Sequence, residues 1–84
     1  MKITDVRIRR MYGAGSMKGV ASITLDDEFV VHDIKIIENE QGLFISMPSR
    51  RGGDGTFRDV AHPLTNKART EIQEVILGKF KDNK

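Results

Sequence analysis

Apolar and polar residues alternate through most of the first two thirds of this chain, and a period of two is the signature of half-buried strands. Thr4, Val6 and Ile8 are interleaved with Asp5, Arg7 and Arg9, and the run breaks at a turn over Gly13-Ala14-Gly15-Ser16. Met17, Gly19, Ala21, Ile23 and Leu25 then fall on one face, with Lys18, Ser22, Thr24 and Asp26 on the other. Asp26-Asp27 marks the next turn. Phe29 to Ile37 is β-branched and apolar on both faces over part of its length, which predicts a strand that is central or covered on both sides. Glu38 to Gly42 reads as a polar hairpin loop, Leu43 to Met47 returns antiparallel, and Pro48 ends that strand. Ser49 to Thr56 is a glycine-rich basic loop, followed by a short fifth strand over Phe57 to Ala61.

After His62-Pro63 the period changes. Ala68, Ile72, Val75 and Ile76 make one apolar stripe of a helix over about 66–78, with Thr65 or Asn66 as N-cap and Gly78 as C-cap. Leu77 points away from that stripe, either to solvent or to a subunit contact. The expected fold is α+β: a meandering antiparallel sheet of about five strands over 2–61, one C-terminal helix on a face, and a short polar tail, all in one domain over 1–84.

The chain has 84 residues and no cysteine, so disulfides, thiol catalysis and zinc-thiolate sites are excluded. A domain only slightly above the ~70–80 residues at which a single core gives about 3–5 kcal/mol gains from burial against a second subunit. A homodimer is therefore expected. The 38% hydrophobic content and net charge of +2 do not fit a disordered tail. No apolar stretch nears the ~20 residues of a membrane span, and Met1 to Thr4 leads straight into the alternation without a signal peptide. A cytoplasmic protein without membrane attachment is the expectation.

The small net charge conceals blocks of +4 over residues 1–20, −5 over 21–48 and +3 over 49–84. Between Arg50 and Arg69 stand five basic residues (Arg50, Arg51, Arg58, Lys67 and Arg69), two acids and His62. Arg50 and Arg51 lie where a glycine-rich backbone can approach a polyanion closely. Lys67 and Arg69 occupy the first helical turn, where the dipole disfavours cations but a phosphate is welcome. The ordinary alternative for each residue is a solvated surface charge; as a cluster they point to a polyanion site. Arg7, Arg9, Arg10 and Lys18 form a second basic group on the first hairpin. Tyr12 and Phe57 could stack on bases, although a strand phenylalanine such as Phe57 more often belongs to the core.

Catalysis finds little support. His32-Asp33 has the form of a metal-binding dipeptide, but strand neighbours face opposite sides and cannot chelate one ion, so a packed, hydrogen-bonded histidine is expected. His62 before proline reads as a turn residue. Ser16, Ser22, Ser46 and Ser49 lack a motif that supplies a base and an oxyanion hole. Asp54 and Asp59 are too few and too far apart for calcium. Gly13, Gly15 and Gly19 miss the dinucleotide spacing, and Gly52-Gly53-Asp54-Gly55 leads into a strand rather than a phosphate-binding helix. Neither an enzyme nor a cofactor is expected.

Longer strings add a resemblance. Ile3-Thr4-Asp5-Val6-Arg7-Ile8-Arg9-Arg10, Ala21 to Asp26, Glu28 to Ile34, Gly42 to Ile45, Met47-Pro48-Ser49 and Phe57-Arg58-Asp59-Val60-Ala61-His62-Pro63 resemble, in order, the stage V sporulation protein G (SpoVG) family. The resemblance implies a bacterial regulator associated with sporulation and asymmetric septation, or with surface and virulence genes where sporulation is absent. It implies a dimer of a sheet plus C-terminal helix that binds DNA, and in some members RNA, through the basic loop and helix region. By position that site falls on Arg50 and Arg51, with Lys67 and Arg69. The rival expectation is a protein-interaction module of the division or sporulation machinery, using sheet edges, the Leu77 surface or the acidic block from Asp26 to Glu40.

Overall fold

Antiparallel hairpins organise the N-terminal half of the computed structural model, which describes residues 2–13 and 15–82. Strands β1 (Ile3–Arg10), β2 (Met17–Leu25), β3 (Phe29–Asn39) and β4 (Gly42–Ser46) form an antiparallel meander in the order β1-β2-β3-β4. The expected turn over Gly13 to Ser16 contains Ala14, which lies outside the described residues. At the second reversal Asp26 and Asp27 have φ of 53° and 56°, and the Glu28 amide donates to the Leu25 carbonyl at 3.0 Å. Two successive left-handed residues match the twist of a hairpin, and aspartate tolerates that conformation better than most side chains.

The segment after β4 departs from expectation. Ser49–Arg51 is itself a strand, β5, and pairs only with β6 (Phe57–Asp59), so the two form a separate ribbon instead of a loop and a fifth strand of the main sheet. Runs of three residues give no periodicity to read. The ribbon leads through Val60-Ala61-His62-Pro63-Leu64-Thr65 to helix α1 (Asn66–Asp82), 17 residues long.

Thr65 caps the helix: its hydroxyl accepts from the Ala68 amide at 3.1 Å. Gly78 does not end it, and the expected polar tail is helical through Asp82. A mid-helix glycine costs about 1 kcal/mol against alanine. The last turn offsets this with Lys79 and Lys81 beside the negative helix end, with Phe80 packed on the core, and with Arg10, whose guanidinium donates to the Phe80 carbonyl and sits 4.1 Å from the ring centroid.

The helix covers one face of the sheet. Val6, Ala21, Ile23, Ile34, Ile36, Ile45 and Met47 from the strand region meet Ile72 and Ile76, with Leu77 and Phe80 packed around them. Leu77 therefore faces the core, not solvent, whereas Val75 leaves the stripe at 38% exposure. Gly19 lets the helix end approach: a Cβ there would stand 3.2 Å from the Arg9 carbonyl and 3.4 Å from both Ile36 Cδ1 and Phe80 Cε1. Among the described residues no helix covers the opposite face. None is long and apolar enough to cross a membrane.

Candidate nucleic-acid interface

The β5–β6 ribbon sorts the predicted arginines onto two faces. Its register pairs Ser49 with Asp59, Arg50 with Arg58, and Arg51 with Phe57, and the Val60 amide extends the ladder by donating to the Pro48 carbonyl at 2.7 Å. Directly opposed residues share a face and neighbours along a strand do not. Pro48, Arg50, Arg58 and Val60 thus form one face, and Ser49, Arg51, Phe57 and Asp59 the other.

Opposing two arginines is unfavourable in itself, and a compact turn holds them there. The Gly52 amide donates to the Thr56 carbonyl at 2.7 Å, and the Gly55 amide to the Gly52 carbonyl at 3.1 Å. Gly55 has φ of +86°, a conformation that a β-carbon would strain. Asp54 Oδ1 accepts from the Thr56 hydroxyl at 2.8 Å and the Thr56 amide at 3.1 Å, and its other oxygen takes Arg58 Nη2 at 3.5 Å. Those bonds, led by the Thr56 hydroxyl, hold the Asp54 carboxyl below its ordinary value. Arg58 consequently shares its charge with an acid, while Arg50 and Arg51 are exposed strand residues.

A concavity of about 610 Å³ separates the Arg50 face of the ribbon from the uncovered side of the sheet. Val20, Val30, Val60 and Met17 give it apolar walls, and Arg50, Lys35, His32 and Asp33 give it polar ones. Met17 was expected on the same face as Gly19, Ala21 and Ile23. A register shift between Met17 and Gly19 brings it to this side instead.

A second bulge corrects the reading of His32-Asp33. Ala21 pairs with Ile34 and Ile23 with Val31, so β3 carries one extra residue, and Asp33 adopts φ of 65°. Both side chains therefore border the same concavities, contrary to simple strand alternation. His32 is exposed rather than packed, and its Nδ1 shares a hydrogen bond with Ser22 Oγ at 2.8 Å. Among the described residues no three of His, Asp and Glu gather as a metal-binding set.

The helix residues stand elsewhere. Lys67 lines a shallow groove with Glu71 and Glu74 on its own helix, and Arg69 is exposed one position past Ala68, where the cap is closed. Arg50 and Lys67 border different concavities, so the five predicted cations are not gathered in one pocket. The second basic group also divides. Arg7 is paired with Asp5 at 3.1 Å, a contact that lowers the Asp5 carboxyl, and Arg10 is engaged with Phe80. Arg7 and Arg9 remain on the uncovered sheet face, opposite Ser22 and Val20.

Phe57, for which the core was the more usual expectation and base stacking the alternative, is 70% exposed. Its neighbours Arg58, Asp59 and Thr56 are all polar, which is the local signal that this strand buries neither face.

Fold and site together define a small α+β domain with one covered and one bare sheet face and an arginine-bearing ribbon. The chain belongs to the SpoVG family, whose model matches residues 1–82. It is 62% identical over 80 residues to the "Putative septation protein SpoVG" of Lachnoclostridium phytofermentans, covering 95% of this chain and 86% of that one. The protein of the same name in Agathobacter rectalis is 60% identical over 81 residues, covering 96% and 93%. The SpoVG 2 protein of Listeria monocytogenes is 56% identical over 80 residues, covering 95% and 78%. These relatives are named as septation proteins.

Proposed function

We infer that this chain is a bacterial regulator of septation or sporulation, or of surface-gene expression, which acts as a homodimer by binding nucleic acid. The observation that carries the reading is the cross-strand pairing of Arg50 with Arg58 on a ribbon whose turn is fixed by Asp54 and Gly55. Like charges held opposite one another in this way suit a phosphate that bridges them. Arg51 extends the contact from the other face, and Lys67 and Arg69 add a second contact at the helix N-terminus. Glu71 and Glu74 make Lys67 the weakest of the five. A twofold dimer presents the ribbon twice, which suits a site of two halves.

Fluorescence anisotropy with duplex DNA and single-stranded RNA across a salt series tests this directly. Binding to the duplex should weaken with a log–log slope of about −0.9 per phosphate neutralised. An Arg50→Ala, Arg51→Ala protein that remains folded should lose affinity and flatten that slope by about 1.8. Binding that ignores salt, or no binding by a folded protein, would refute the reading.

A second reading is favoured by the exposed Phe29, Val30 and Val60 at 64%, 45% and 67%, an apolar surface more usual at a protein contact. On it the chain is an interaction module of the division machinery. A pull-down that survives nuclease and is lost on reversing the acids between Asp26 and Glu40 would support this alternative.

A further inference from the structure

We propose that Phe57 is a stacking platform for an unpaired base, so that the ribbon binds single-stranded nucleic acid in preference to duplex. The proposal rests on the nucleic-acid reading above and names the element of the ligand that the ribbon recognises.

The placement of Phe57 carries the proposal. It sits on a three-residue strand, opposite Arg51 and on the face away from the concavity, with 70% of its surface in solvent. A phenylalanine ring is among the side chains most readily buried, and nothing in the sheet or helix core receives this one. Its backbone is nevertheless fixed, since the ladder from Pro48–Val60 to Gly52–Thr56 and the Asp54 turn hold both strands.

The Arg51 guanidinium extends toward the turn, where Nη2 lies 3.8 Å from the position a Gly55 Cβ would take. On its own face the ring has Arg51 as cross-strand partner and is left open to solvent. Arg50 and Arg58 stand on the reverse of the same ribbon. A strand of nucleic acid crossing the ribbon can set a base on Phe57 while its phosphates meet arginines on either side. Stacking is available to any base with a free π-face and closed to bases stacked within a duplex, so this geometry selects for unpaired nucleotides. The charge around the ring separates this ligand from an apolar peptide. Three arginines stand on the ribbon against Asp54 and Asp59, and phosphate complements that balance.

Two substitutions decide it. Anisotropy with a single strand of about 12 nucleotides, and with the duplex of the same sequence, is measured for the unaltered chain and for Phe57→Ala. The substitution should weaken single-strand binding by about 5- to 100-fold while duplex affinity stays within about twofold. Phe57→Trp should restore single-strand binding, and, because the chain has no other tryptophan, its fluorescence should be quenched saturably by the single strand. Phe57 is exposed, so both variants should fold, which circular dichroism checks.

Equal loss for both ligands, or no loss for either, overturns the stacking role while leaving Arg50-dependent binding intact. A Phe57→Ala protein with unchanged affinity but altered sedimentation overturns it in favour of a protein contact. Absence of binding by the unaltered chain to either oligonucleotide overturns this proposal and the underlying reading together.

Discussion

Asp54 illustrates how a single side chain at the rim of the site organises what an arginine cannot. Its carboxylate ties Thr56 and Arg58 to the turn, and the lowered pKa has a definite consequence. Because the folded value is below the ordinary 3.8, the charged form favours the folded turn at pH above that value, and the contribution is lost as pH falls through the folded midpoint. A carbon-detected NMR titration should place the Asp54 midpoint below 3.8. In Asp54→Ala the Gly52 and Gly55 amides should exchange faster, with the thermal midpoint of the whole domain barely moved. Asp33 gives a second residue-scale expectation. Its left-handed conformation suits Gly or Asn, so Asp33→Gly should be nearly neutral, while Asp33→Val should destabilise by about 1–3 kcal/mol in chemical denaturation. This bulge was not legible: alternation was expected to put His32 and Asp33 on opposite sides, and a strict period of two has no way of representing an inserted residue.

Elements differ in how much of their sequence reports on them. The four long strands were readable because each buries one face against the helix, and burial imposes the alternation that marks them. β5 was read as loop and β6 as a fifth strand of the main sheet because neither face of their ribbon is buried, so its six residues carry no hydrophobic period. The helix was legible in its start, through Thr65, and not in its end. Gly78 is a stop signal only when the following turn gains nothing, and here Phe80 reaches the core and Arg10 reaches Phe80. That coupling is measurable. A double-mutant cycle on Arg10→Ala and Phe80→Ala should give an interaction energy of about 0.5–2 kcal/mol, and a value near zero would mean that the helix end is held by Phe80 packing alone. Ile76, fully buried between helix and sheet, should cost about 2–5 kcal/mol as Ile76→Ala in urea unfolding.

At the scale of the molecule, the helix leaves one sheet face bare, and Phe29, Val30 and Val60 lie exposed beside the ribbon. The proposed second copy would cover such a surface. If it does, the thermal midpoint should rise with protein concentration, and Val30→Asp should abolish that dependence. The candidate interface was legible in the sequence as a charge cluster of five cations, each of which is exposed. Their division between two ribbon faces and a separate helix end was not, because charge has no periodicity until the strands that carry it are known. The central claim is that the ribbon contacts nucleic acid, and an amide NMR titration with a short oligonucleotide tests it most directly. The account predicts saturable shifts at Ser49–Arg51, Gly52–Asp59 and Asn66–Arg69, reversed by added salt, with the acidic turn at Asp26–Glu28 unmoved. Shifts confined to Phe29, Val30 and Val60, or none in a folded protein, would contradict it.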